Sequence, residues 1–331
     1  MPWIIFLVSS LIVVITAIKL AQYGDVIAVR TGLGGLFVGT VLLAGATSLP
    51  ELIASISAFQ VGLPDLAAGN FLGSNMVNMG ILALVDLVNF RVPLLRRVAI
   101  THTLTAALGA LMMTMAVIFM LSDIEIVVGW VGYESFVLIA LYFGGAWLVQ
   151  QEGKRDGSGL PPVTMAPAPG FPSLRRGVVG FAVATLVLVL VVPQLVGASA
   201  EIAEITGLGA SFVGTALLSL VTSLPEMLAA FAAVRIGAVE LAVGNLFGSS
   251  VFNMLALGIA DFFYLEGSFL DAIDNQFAMV GLLGLLLTLM ALVGNLARVE
   301  RRILFIELDA LAILVTYFLG MYLLFLRGIA G

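Results

Sequence analysis

Residues 37–52 read FVGTVLLAGATSLPEL, and residues 212–227 read FVGTALLSLVTSLPEM. Downstream, residues 69–79 read GNFLGSNMVNM and residues 244–254 read GNLFGSSVFNM. The offset is 175 residues in both stretches (226 − 51 and 253 − 78), and residues 31–86 align with 206–261 without a gap. About half of the aligned positions are identical, which chance does not produce. The chain is therefore built from a duplicated unit.

Composition sets the solvent of that unit. Of 331 residues, 61% are hydrophobic and only 10% charged, and mean hydropathy is +1.18. A soluble domain carries about 25% charged residues, so this chain belongs in a lipid bilayer. No cysteine is present, which excludes disulfides, thiolate metal sites and thiol nucleophiles. His102 is the single histidine, so zinc or haem chemistry is not expected. No nucleophile–base pair for an enzyme is evident, and neither a cofactor nor a nucleic-acid partner is expected. The first apolar run, Trp3 to Leu20, lacks the basic start and small-residue cleavage site of a signal peptide and reads as a retained span.

Cutting the apolar runs at charged or Pro/Gly-rich points predicts ten spans: 3–20, 33–60, 66–89, 98–121, 126–149, 177–199, 208–234, 241–264, 275–297 and 303–326. Each can cross about 30 Å of hydrocarbon at 1.5 Å per residue. The one long connector, residues 150–176, contains GSGLPPVTMAPAPGFPS and reads as a flexible linker. With the N-terminus outside, Lys19, Arg30, Arg91, Arg96, Arg97, Lys154, Arg155, Arg175, Arg176, Arg235, Arg298, Arg301 and Arg302 all fall inside. Asp65, Asp123, Glu125, Glu201, Glu204, Glu266, Asp271 and Asp274 then lie outside, and Arg327 alone breaks the basic pattern. Basic residues mark the cytoplasmic face, so both termini are expected outside, in a cell membrane. Ten spans in two halves give five each, an odd number, so the second copy must enter from the opposite side. The expected fold is all-α and polytopic: a first five-helix repeat at 1–149, a linker at 150–176 and an inverted second repeat at 177–331. Inverted repeats with paired broken helices characterise secondary transporters, which bind their cargo near the midplane.

Glu51 and Glu226 fall in the middle of the second and seventh spans. A charged side chain at a helix centre in lipid costs about 2.5–3.5 kcal/mol on insertion scales. No Lys or Arg lies mid-span to pair with them, which leaves a bound cation as the simplest partner. Proline removes a backbone donor and disfavours helix at the residue before it. Each span should therefore break at Pro50 or Pro225 into two half-helices. The first half would end in unpaired carbonyl oxygens suited to Na⁺ or Ca²⁺. The second would begin with a Ser-x-x-Glu capping box, Ser48 to Glu51 and Ser223 to Glu226. Asn70, Ser74 and Asn78 share one helix face, as do Asn245, Ser249 and Asn253. Gly69, Gly73, Gly244 and Gly248 beside them would admit close helix packing. Oxygen-only ligands with two carboxylates suit hard cations. Asp86 and Asp261 also repeat at the 175 offset and read as helix-end anchors, while Glu307 and Asp309 could pair with Arg301 or Arg302.

TSLPE followed by GN-x-x-GS-x-x-x-N, present twice, resembles the alpha repeats of the cation/Ca²⁺ antiporter superfamily, the Na⁺/Ca²⁺ exchangers. The motif regions are residues 37–80 and 212–255. The resemblance implies Ca²⁺ and Na⁺ as transported ions, alternating access and function as a monomer in the bilayer. It implies paired acids at Glu51 and Glu226, hydroxyl and backbone ligands at Thr47, Ser48, Thr222 and Ser223, and flanking Na⁺ positions at Ser74 and Ser249. Asn78 and Asn253 would sit near the centre, and Ala44 and Ser219 would offer carbonyl oxygens. This chain departs from the pattern in three ways. Asn253 stands where archaeal relatives carry aspartate, Ala46 and Val221 replace a usual glycine, and the connector lacks the acidic Ca²⁺-sensing domains of animal exchangers. H⁺/Ca²⁺ antiporters of the superfamily are expected to carry a further glutamate at the positions of Gly73 and Gly248, which makes H⁺ exchange the second reading. A cation channel is a remote third reading; it would favour a symmetric oligomeric pore.

Overall fold

The break-and-repeat pattern is visible in the backbone of the computed structural model, which describes residues 1–31, 44–88, 100–122, 124, 126–155, 171–297, 302–303 and 306–330. Helix α1 spans Pro2–Thr31, α2 Leu49–Gln60, α3 Pro64–Val88, α4 Ile100–Ser122 and α5 Tyr133–Arg155. In the second half α6 spans Leu174–Thr206, α7 Gly209–Thr222 and α8 Leu224–Arg235. Then follow α9 (Val239–Ala260), the short α10 (Phe269–Ala272), α11 (Phe277–Ala297) and α12 (Leu308–Ala330). Among the described residues, seven helices are long and apolar enough to cross a membrane, and the bent pair α7–α8 makes an eighth. The chain is a polytopic helical membrane protein.

The 175-residue offset extends well past the stretch of clear identity. It carries Leu49–Gln60 onto Leu224–Arg235 and Tyr133–Arg155 onto Leu308–Ala330. It also carries the antiparallel hairpin β1–β2 (Val127–Val128, Val131–Gly132) onto β3–β4 (Arg302–Ile303, Ile306–Glu307). These strands correct the helical reading of residues 126–132, 303 and 306–307. β-branched residues make up three of the four strand positions in the first hairpin and two of four in the second, and Gly129 takes φ +75°, a left-handed conformation that closes the first turn.

Two spans are longer than their apolar runs indicated: α1 continues past Leu20 to Thr31, and α6 covers 33 residues instead of 177–199. Neither Lys19 nor Gln22 breaks a helix, because straight-chain polar residues have good helix propensity. The first half of the second span (33–43), Arg91, Arg96, Arg97, Asp123, Glu125, Arg298, Arg301 and linker residues 156–170 lie outside the described residues.

Repeat mates pack on each other: α1 on α6, α3 on α9, and α4 on α11. Helices α3 and α9 are the most buried spans, whereas α6 and α12 mostly face outward. The core centres on Phe71, Met76 and Met79 of α3 and Phe247 and Met254 of α9. Glycine lets these helices close on their neighbours. A Cβ at Gly69 would lie 2.8 Å from Thr215 N, and one at Gly73 would lie 2.6 Å from Thr215 O. The backbone they meet is a π-helical turn, Gly214–Leu218, inside α7; such turns recur at functional sites.

Candidate ion-binding site

The breaks at Pro50 and Pro225 are bends rather than open ends. Ser48 N still donates to Ala44 O (2.9 Å), and Ser223 N to Ser219 O (3.0 Å). Thr47 Oγ1 donates to Ala44 O at 3.2 Å, and Thr222 Oγ1 lies 3.2 Å from Ser219 O. The carbonyls of Ala44 and Ser219 thus already accept protein donors, contrary to the expectation of unpaired ends. The carbonyls without their usual i+4 donor are those of Ala46 and Val221, four residues before each proline. The helix bends by 40° between α7 and α8.

The expected capping boxes do not form. Ser48 and Ser223 are N-cap residues without a side-chain cap bond, with φ near −90° and ψ near 0°. Their hydroxyls cross to the other copy instead. Ser48 Oγ donates to Glu226 Oε1 at 3.2 Å, and Ser223 Oγ donates to Glu51 Oε1 at 3.3 Å. Donating to a buried carboxylate gives each hydroxyl a charge-assisted bond, and the backbone of Ser48 and Ser223 lies outside the extended region usual for an N-cap. Ser249 Oγ also reaches Glu226 Oε1, at 3.5 Å, and lies 3.4 Å from Thr47 Oγ1. Glu51, Glu226, Ser48, Ser223, Thr47 and Ser249 therefore form one cluster, with Glu51 1% and Glu226 0% exposed.

Several polar atoms of the cluster and its walls are buried with no hydrogen-bond partner in the protein. They include Glu51 Oε2, Glu226 Oε2, Ser74 Oγ, Asn78 Oδ1 and Asn253 Oδ1. Buried polar groups are normally paired, and all five atoms are oxygens able to ligate a hard cation. Among the described residues, no basic side chain forms an ion pair with either glutamate.

Asn70 joins the elements together. Its Nδ2 donates to Glu51 O (3.0 Å) and Ser55 Oγ (3.2 Å), and its Oδ1 lies 3.0 Å from Thr222 Oγ1. Its mate Asn245 has neither amide atom paired; Ala230 stands where the first copy has Ser55, which removes one acceptor for Nδ2. Asn75 is a residue that the repeat pattern hid. It is fully buried, and its Oδ1 accepts from Asn253 Nδ2 at 3.2 Å, but its mate is Ser250, so looking for duplicated polar residues passes over it.

The repeated acids near the helix ends act differently. Asp261 accepts from Gly132 N (2.8 Å), Ser135 Oγ (2.7 Å) and Phe269 N (2.7 Å), which anchors the end of α9 to the first hairpin. Asp86 lies near Glu307 and Asp309, with carboxylate oxygens within 4.8 Å of one another. The expected partners of Glu307 and Asp309 cannot be placed, since Arg301 and the Arg302 side chain lie outside the described residues. His102 packs its ring against Gly244, where a Cβ would come within 2.6 Å of Cε1.

A duplicated helical membrane protein with a buried carboxylate in each copy, each accepting a serine hydroxyl from the other copy, has the architecture of a transporter. The chain belongs to the sodium/calcium exchanger protein family, whose model matches residues 1–149 and 176–327. It is 28% identical to the putative antiporter CaxA of Alkalimonas amylolytica over 314 residues, covering 90% of this chain and 92% of that one. It is 26% identical to the inner membrane protein YrbG of Escherichia coli (strain K12) over 271 residues, 77% of this chain and 78% of that one. Its fold matches the crystal structure of an H⁺/Ca²⁺ exchanger, CAX, with TM-score 0.75 and 18% identity over 99% of this chain and 86% of that one. It also matches the sodium-calcium exchanger NCX_Mj, with TM-score 0.62 and 19% identity over 97% of both chains. The family's members are exchangers, not enzymes, and the ions they carry are substrates rather than cofactors.

Proposed function

We propose that this protein exchanges Na⁺ for Ca²⁺ by alternating access, with Ca²⁺ held between Glu51 and Glu226. The observation that carries this reading is the pair of buried glutamates whose Oε2 atoms have no protein donor and no basic partner among the described residues. Ca²⁺ neutralises two carboxylates, and Na⁺ competes for the same oxygens. An empty site would leave two like charges in a low-dielectric interior, a state that opposes the inside–outside switch. Ion occupancy removes that cost, so exchange is coupled. Thr47, Ser48, Thr222 and Ser223 orient or ligate the ions, Ser74 and Ser249 serve flanking Na⁺ positions, and Asn78 and Asn253 complete the centre. The carbonyls of Ala44 and Ser219 would contribute only where an ion takes the place of the Thr47 and Thr222 hydroxyls they now accept.

In this reading ten spans form two inverted five-helix halves, 1–149 and 177–331, joined by a linker at 150–176. The protein works as a monomer in the cytoplasmic membrane with both termini outside. A proton could replace Na⁺ at the same glutamates, and the fold likeness to an H⁺/Ca²⁺ exchanger keeps that reading in view. Against it, a Cβ at Gly73 would already lie 2.6 Å from Thr215 O, so no glutamate side chain fits there. The deciding experiment is ⁴⁵Ca²⁺ uptake into proteoliposomes with an imposed Na⁺ gradient, or with a pH gradient and no Na⁺. Uptake driven by Na⁺ alone supports the reading; uptake driven only by the pH gradient replaces Na⁺ with H⁺. Uptake that needs no counter-ion would indicate a channel.

A further inference from the structure

Away from the glutamates, α1 and α6 run antiparallel along each other. Gly177 lies against Val26 and Gly180 against Tyr23, where a Cβ would come within 2.5 Å of the Tyr23 ring. A groove of about 420 Å³ opens along this seam, floored by Tyr23 and walled by Ile15, Val179 and Val183. All three wall residues are more than half exposed, on helices apolar enough to span a membrane. Their outward faces therefore meet hydrocarbon.

Two cations line the same groove, Lys19 and Arg176, and no carboxylate does. Lys19 Nζ donates only to Gln22 Oε1, at 3.1 Å. Among the described residues, neither cation has an acidic partner. Asp25, the acid of α1 nearest in sequence, does not line the groove. Unpaired basic side chains at a lipid-facing position are costly unless they reach headgroups or pair with an anion. The groove has a defined wet end. Arg30 donates to Pro172 O (2.8 Å) and Phe171 O (2.6 Å), tying the end of α1 to the start of α6 beside Arg176. Lys19 lies 11 residues before Arg30 in α1, about 16 Å deeper at 1.5 Å per residue. The groove thus has Arg176 at its wet end and Lys19 farther along, its Nζ turned back toward that end by Gln22, with apolar Ile15 beyond it, matching a molecule with an anionic head and a hydrocarbon tail.

We propose that this groove binds one anionic phospholipid, with its phosphate between Lys19 and Arg176, beside Val179 and Val183, and an acyl chain running on past Ile15. Native mass spectrometry of the purified full chain in detergent, with phosphatidylglycerol or phosphatidylcholine added, tests it. One phosphatidylglycerol adduct is expected to persist in preference to phosphatidylcholine. The double variant Lys19→Ala/Arg176→Ala should lose roughly 30-fold in phosphatidylglycerol affinity. Arg235→Ala, outside the groove, should not. Inorganic phosphate should fail to displace the lipid. Equal retention of the two lipids, an unchanged adduct in the double variant, or displacement by inorganic phosphate would overturn the proposal. Should the double variant fail to fold, Val183→Trp fills the channel at an exposed position; loss of the adduct supports the site, and its retention rejects it.

Discussion

Ser48 donates its hydroxyl to Glu226 Oε1 across the two copies, and its repeat mate Ser223 donates to Glu51 Oε1, at 3.2 and 3.3 Å. Each copy therefore positions the other copy's carboxylate, and each glutamate keeps Oε2 free of protein donors. In the proposed site, neither half would be complete alone.

A hydrogen bond to a charged group contributes roughly 1.5–3 kcal/mol. Ser48→Ala and Ser223→Ala should each weaken Ca²⁺ binding by about tenfold or more, and by similar amounts, in titration calorimetry of the purified protein. Wild-type affinity in both variants would show that the crossing hydroxyls are incidental.

The glycine contacts make an opposed pair. Gly73→Ala places a methyl 2.6 Å from Thr215 O, a backbone atom that cannot swing aside. The expected cost is about 1–3 kcal/mol of stability, typical of overpacking. Gly144→Ala in α5 meets nothing within 4 Å and should stabilise by about 0.5–1 kcal/mol through helix propensity. Thermal unfolding midpoints in detergent should move in opposite directions.

Asp261 accepts three hydrogen bonds, from the first hairpin, Ser135 and the start of α10, and none of the three donors is a proposed ion-site residue. Asp261→Ala leaves two backbone N–H groups and one hydroxyl without their acceptor, so a loss of about 3 kcal/mol or more is expected. Ca²⁺ affinity of the folded fraction should stay unchanged. A variant that folds normally but no longer binds Ca²⁺ would place Asp261 in the transport machinery instead.

The membrane class, the duplication and the burial of the two glutamates are legible in the sequence because each rests on a strong local signal: apolar runs, gap-free identity, and charge in the wrong solvent. The hydrogen bonding is not. Ser48 and Glu51 have capping-box spacing, and only the presence of Glu226 across the interface redirects the Ser48 hydroxyl. Asn75 was hidden because Ser250 breaks its symmetry. The strands at 127–128, 131–132, 302–303 and 306–307 are not separable from the neighbouring spans by sequence, because Ile and Val are equally apolar in a strand and a helix. Their common offset of 175 residues shows that the fold remembers the duplication where residue identity has faded.

Direct Ca²⁺ binding to Glu51→Gln and Glu226→Gln, measured with ⁴⁵Ca²⁺ on the purified protein, bears most directly on the paired-carboxylate site. Each substitution keeps the side chain's size and removes one of the two charges. Both variants are expected to lose Ca²⁺ binding, since one carboxylate leaves a divalent ion uncompensated. Wild-type binding in either variant would contradict a site shared by the two glutamates.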